Sequence, residues 1–285
     1  MKWMNGAKAV VLLTFDFDAE TLWLSRDASN WERPGTLSQG GYGAKVGVPK
    51  ILELLRDEDL PATFFVPGWT AQFHAERTQM IVKDGHEVGH HGYLHEWVDP
   101  KDPGRELEAL EKGLEALHQA VGVRPKGYRS PAGETSHNVF KLLKEKGFQY
   151  DSSMLDDYQP YRTTLLDGTR GVIEIPWHWS IDDAIYCLFH IKSPRAVFTN
   201  EHILQIWKDE FDAIREWGGV FNLVMHPQVI GRPSRMQLLR DFIAYVRQFP
   251  DTTFAQCSEV AQWYADHEPE FVPQPHAVQF RPDSV

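Results

Sequence analysis

Two aspartates separated by one residue, Asp16 and Asp18, stand in the run T-F-D-F-D-A-E. In an extended segment residues i and i+2 project to the same side, so both carboxylates can enter one pocket. Aspartates also cap turns after strands, and that plainer role fits the same position. Two histidines, His91 and His95, lie four apart in G-H-H-G-Y-L-H-E. On a helix or helical turn they share a face, the spacing of a chelating pair, while His90 points elsewhere. Two neutral imidazoles and one carboxylate form a common catalytic zinc set with positions left for water and substrate. A divalent metal ion, with Zn2+ the expected identity, is therefore the expected cofactor.

Two more polar positions stand out, together with a group of aromatic residues. Arg129, in G-Y-R-S-P-A-G, can hold Asp16 in place and keep it ionised, or form an ordinary ion pair; the two roles are compatible. His226, in L-V-M-H-P-Q, follows an apolar run that Pro227 ends. A histidine there can donate a proton to a leaving amine, or simply cap a strand end. Trp23, Trp69, Tyr93, Trp97, Trp177 and Trp179 lie in or near the same loops. Sugars and small flat rings both stack on such side chains, which also serve as plain packing. Trp23, Tyr93 and Trp177, with Pro131, are the expected substrate contacts.

These residues need elements to bring them together. Short apolar runs at 9–15, 62–66, 87–89, 125–129, 148–151, 172–175, 220–225 and 252–255 read as strands. Helical patterns lie between them, at 48–60, 71–84, 102–121, 136–146, 202–217, 236–248 and 259–267. Such alternation predicts an α/β fold, a distorted (β/α) barrel of about seven parallel strands with helices outside. The polar residues all follow strands. In a barrel the carboxyl ends of the strands meet at one face, where active sites form. Residues 1–268 are read as one catalytic barrel and the proline-bearing stretch 269–285 as an extended tail.

Composition sets the outer limits. The 285 residues are 42% hydrophobic and 24% charged, as in soluble globular proteins. With 29 basic and 40 acidic residues the charge is −11, and no basic cluster suggests a nucleic-acid partner. Two cysteines make no disulfide framework, so a reducing compartment is expected. The first apolar stretch is too short for a secretory signal, and no run is long enough for a membrane helix. A cytoplasmic protein without membrane association is the expectation.

Taken together, the motifs resemble the polysaccharide deacetylase family, in family order from residue 10 to residue 228. T-F-D-F-D resembles the motif that supplies a catalytic base and a metal-binding Asp. H-G-Y-L-H resembles the motif with two metal-binding histidines. R-S-P-A-G resembles the one whose Arg positions the base, and M-H-P the one that supplies the general acid. The resemblance implies Asp16 as base, Asp18, His91 and His95 as ligands, Arg129 as positioner and His226 as acid. It also implies an Asp that tunes the acid, for which Asp182 in W-S-I-D-D is the candidate. Family members commonly carry adjacent aspartates, T-F-D-D-G; here Phe17 separates them and Ala19-Glu20 replaces Gly. That variant resembles an intracellular branch containing peptidoglycan deacetylase-like proteins and cyclic imide hydrolases, which implies a homo-oligomer, a tetramer in form. Three functions follow: a deacetylase of an N-acetylated small-molecule or saccharide substrate, a cyclic amide or imide hydrolase, and a ligand-binding barrel without catalysis.

Overall fold

The computed structural model describes residues 2–190, 194–269 and 272. Among them, nine strands form one sheet: β1 (Ala9–Asp16), β2 (Thr63–Val66), β3 (Glu87–His90), β4 (Gly127–Tyr128), β5 (Tyr150–Asp151), β6 (Tyr161–Thr164), β7 (Arg170–Glu174), β8 (Val220–Met225) and β9 (Thr252–Ala255). The order is β6-β7-β5-β4-β3-β2-β1-β8, with β9 also against β1. Every ladder is parallel except that of β6 with β7. On one edge, β1 pairs along its length with β8. Its other edge is divided: Ala9–Leu12 meet β9 and Thr14–Asp16 meet β2.

No ladder joins β7 to β8. A single bridge, Asp182 to Val224, lies in the gap. The buried Asn222 amide crosses it as well, donating to the carbonyls of Ile175 and Pro176 at 3.3 and 3.2 Å. The barrel is thus closed at this seam by one bridge and a side chain in place of a ladder, which accounts for its distortion.

The pleat of β1 explains the site. Val11, Leu13, Phe15 and Phe17 face outward into a core shared with the helices. Val10 and Leu12 face inward with Phe65, Tyr150, Ile173 and Ile175. Continuing that inward file by twos gives Thr14, Asp16 and Asp18, all buried. The barrel is apolar at its amino end and polar at the carboxyl end.

The helices lie near their expected places, with local differences. The expected helix at 71–84 is two, Gly68–Phe73 and Ala75–Lys83, broken at His74. The His74 ring meets Glu20 Oε2 at 2.7 Å. A helix at Pro34–Tyr42 continues through a π-helical turn at Gly43–Gly47 into Val48–Asp57. Glycine's low helix propensity hides it in the sequence. Its glycines serve close packing instead, since a Cβ on Gly47 would stand 2.2 Å from the Pro227 carbonyl oxygen. Among the described residues no helix is long and apolar enough to cross a membrane. Apart from Pro269 and Val272, the expected tail lies outside the described residues.

Candidate active site

The carboxyl ends of β1, β3, β4, β7 and β8 bring the marked residues to one cavity. Asp16 ends β1, and Asp18 follows with its carbonyl held by the Thr21 and Thr70 hydroxyls at 2.7 and 2.8 Å. His91 and His95 follow β3 on an irregular loop, not on a helix or helical turn as expected. Positive φ values at Gly92 (73°) and His95 (57°) fold that loop back so that both rings face Asp18. His91 Nε2 lies 3.5 Å and His95 Nε2 3.7 Å from Asp18 Oδ1. Ligands about 2.1 Å from a shared tetrahedral zinc are separated by about 3.4 Å, so the spacing fits such an ion.

The hydrogen bonds around these three atoms fit a cation as well. His91 donates its Nδ1 proton to the Arg129 carbonyl at 2.8 Å, which leaves the Nε2 lone pair toward Asp18. Burial pushes the pKa values of His91 and His95 below the usual range, keeping both rings in the neutral, ligating form. Asp18 Oδ1 is buried with no donor, while Oδ2 accepts from Gln228 Nε2 at 3.3 Å. His90 turns away, donating to the Leu110 carbonyl at 3.0 Å.

Arg129 organises the other side. Its guanidinium is buried, over the Phe65 ring at 4.2 Å. Its five N–H groups reach five acceptors: Asp16 Oδ1 at 2.9 Å, Thr14 Oγ1 at 3.0 Å, Ser152 Oγ at 3.0 Å, the Ser152 carbonyl at 3.1 Å and Asn222 Oδ1 at 3.3 Å. Burial alone would raise the pKa of Asp16. The Arg129 charge, with help from the charged His226, outweighs it and holds the carboxyl below its usual range. At Asp18, which has no such guanidinium, burial prevails and raises the pKa to about 7.

His226 caps β8 with its ring at the cavity. The sequence reading placed Asp182 beside it; Asp183 occupies that place instead. His226 Nδ1 meets Asp183 Oδ1 at 2.7 Å, and the His226 backbone N–H donates to Oδ2 at 3.1 Å. Asp182 turns to the Ala184 N–H at 2.6 Å while still lining the cavity. Burial lowers the His226 pKa, but Asp183 and then Asp182 outweigh it and hold the imidazole well above its ordinary range.

The cavity measures about 200 Å³. Asp16, His91, His95, Arg129 and His226 line its floor; Leu22, Ile185 and Leu188 line its wall. Of the expected substrate contacts, only Trp177 lines it, joined by Trp97 and Trp179. Trp23 is fully buried elsewhere, its carbonyl held by Asn30 at 2.8 Å. Tyr93 lies outside, its hydroxyl bonded to Gln72 at 3.2 Å. Pro131 packs behind the wall against Gly92. Sequence reasoning missed Asp183, Gln228, Ser152 and Asn222. Asp183 had a signal in the D-D pair; the others are ordinary polar residues whose role depends on strand register.

Comparison with known proteins settles the lineage. The family described as polysaccharide deacetylase matches residues 4–150. A peptidoglycan deacetylase of Helicobacter pylori is 32% identical over 89% of this chain and 95% of its own length. The chain belongs to the polysaccharide deacetylase family. A crystal structure from Mycobacterium smegmatis, provisionally assigned to the polysaccharide deacetylases, is 38% identical, with a TM-score of 0.90 over 97% of both chains. A solved allantoinase shares the fold, with a TM-score of 0.81 over 94% of each chain at 24% identity. As a polysaccharide deacetylase family member, the protein is a metal-dependent, deacetylase-like hydrolase of carbon–nitrogen bonds other than peptide bonds.

Proposed function

We propose that the protein removes the acetyl group from an N-acetylated small-molecule or saccharide substrate, with Zn2+ held by Asp18, His91 and His95. The observation that carries this reading is the pairing of a buried, donor-less Asp18 Oδ1 facing two imidazole nitrogens with an Asp16 held ionised by Arg129. When bound, the ion supplies Lewis acidity for the substrate carbonyl and lowers the pKa of a water. Asp16 accepts the proton of that water as its oxygen attacks the acetyl carbon. Arg129 keeps Asp16 oriented and ionised. His226, charged by its contact with Asp183, gives its proton to the leaving nitrogen as the C–N bond breaks. The products are acetate and a free amine.

A second reading rests on the cavity. Its volume of about 200 Å³ and its apolar and aromatic wall suit a compact ring. On the same groups a cyclic amide or imide would open to a half-amide. An assay of N-acetyl sugars and cyclic imides, with and without chelator, separates the two. Chelator-sensitive acetate release supports the first, ring opening alone the second, and activity indifferent to chelator contradicts both.

The setting is part of the proposal. Cys187 and Cys257 are free, which suits a cytoplasmic location. The exposed Trp31, Phe73 and Trp217 suit a homo-oligomer, a tetramer in form. Light scattering at 32.8 kDa would contradict assembly.

A further inference from the structure

Two arginines at the cavity have no part in the chemistry above. Arg26 and Arg195 both line it, and both reach solvent. Some arginines elsewhere hold carboxylates, as Arg162 does with Glu268 and Arg215 with Asp251, and others bond neutral oxygens, as Arg124 does with the Lys146 carbonyl and Arg235 with Asn200 and the Phe198 carbonyl. Among the described residues neither Arg26 nor Arg195 has a carboxylate within ion-pair distance. Two unmatched cations at one mouth are conspicuous in a chain of net charge −11.

Their backbones are well placed. Arg26 follows a buried helical turn, Thr21–Leu24, and adjoins Ser25, whose hydroxyl lies 3.5 Å from His95 Nδ1. The turn is fastened by Asn30 to the Trp23 carbonyl. Arg195 lies on the segment fastened by the Phe198 N–H to the Tyr186 carbonyl at 3.0 Å, and by Arg235 to the Phe198 carbonyl at 2.7 Å. Arg26 feels Asp18 as an attractive charge and Arg195 as a repulsive one. Once Asp18 ligates a divalent ion, its charge is committed there and cannot serve Arg26 as well. The mouth then carries surplus positive charge with the aromatic faces of Trp97, Trp177 and Trp179 beside it.

Resting on the hydrolase reading, we propose that Arg26 and Arg195 select a substrate bearing a single anionic group, carboxylate or phosphate, held at the mouth while its amide reaches the cavity floor. Guanidinium forks match the oxygens of either group, and such charge-assisted bonds discriminate strongly against a neutral analogue. Asp182, the other carboxyl on the cavity besides Asp16, is bound to the Ala184 N–H on the His226 side.

The test uses matched compounds: N-acetylglucosamine against N-acetylmuramic acid and N-acetylglucosamine 6-phosphate, and dihydrouracil against dihydroorotate. Within at least one set, the anionic member should show a kcat/KM at least about tenfold above the neutral one, the worth of one good charge-assisted contact. Arg26→Gln and Arg195→Gln should each erode that ratio through KM, with one ion still bound per chain. Arg26→Lys should keep part of it. The muramic and phosphate arms tell carboxylate from phosphate. No preference in the unaltered protein, or an equal loss for both members in the variants, overturns the proposal. If no compound is turned over, the deacetylase and ring-opening readings fall. The anion site is then decided by calorimetric binding of the same compounds: tighter binding of the anionic members, lost in the double Gln variant, upholds it, and equal or absent binding overturns it.

Discussion

Asp16 and Asp18 stand two residues apart on one inward file, are both buried, and are treated oppositely by the fold. Asp16 is met by a guanidinium whose every proton is used, so it stays a carboxylate below its usual range. Asp18 is met by two neutral imidazoles and one amide, with the His226 ring 3.9 Å away, keeps a donor-less oxygen, and is raised by burial to about 7. The first carboxylate is completed by protein; the second has the surroundings of a ligand whose compensating charge comes from a cation. On the proposed mechanism the barrel makes a proton acceptor and a metal ligand from the same residue type, by choosing what each faces.

The largest effect should come from removing the element that makes the two differ. Arg129→Met removes from a buried site the guanidinium that donates to Asp16, Ser152 and Asn222. Loss of one partner of a buried ion pair costs about 3–5 kcal/mol. Denaturant unfolding should show that loss, together with loss of activity, whereas unchanged stability would mean that Asp16 does not need its guanidinium. His91→Ala keeps the guanidinium's partners but removes the hydrogen bond to the Arg129 carbonyl, so the stability loss should be smaller than that of Arg129→Met. Elemental analysis should find the ion gone and activity reduced to the chelated background.

Asp183→Asn sharpens the comparison from the acid side. Asp183 is the main charge raising the His226 pKa. A general acid works while protonated, so the alkaline limb of the rate profile should move to lower pH in the variant. A fall in kcat of roughly 10- to 100-fold is expected, within the usual worth of proton transfer. An unmoved limb would detach Asp183 from the acid. The smallest effect concerns Asp18 itself. In the ion-free protein its pKa of about 7 means that a proton competes with the metal, so affinity should fall as pH drops below about 7. Metal titrations at pH 6 and pH 8 measure this, and equal affinities would contradict it.

The sequence carried much of this geometry because strand ends announce themselves. A strand run followed by Asp, His or Arg marks a carboxyl end, and four such ends converge in this barrel. It could not show which of Asp182 and Asp183 meets His226. That depends on register at the seam, where Asp182 is used in the bridge to Val224. Nor could it show that Trp23 is core while Trp97 and Trp179 reach the cavity, since aromatic type alone does not fix burial. Strand β6 (Y-R-T-T) escaped because an antiparallel edge strand needs no apolar run. The helical stretch 34–47 escaped because its glycines are there for contact, with Gly47 against Pro227 and Gly43 against the Gln228 backbone N–H. Those contacts fix the turn carrying His226 and Gln228, so a segment without catalytic residues positions two residues of the site.

The most direct measurement sets Asp16→Asn beside Asp18→Asn, recording metal content and kcat for each. Asp16→Asn should keep about one ion per chain and lose roughly 10²–10⁴-fold in kcat, the worth of a positioned base. Asp18→Asn should lose the ion, with activity partly restored by excess metal. The reverse pattern, with the ion lost from Asp16→Asn and kept by Asp18→Asn, would contradict the division of roles between the two carboxylates.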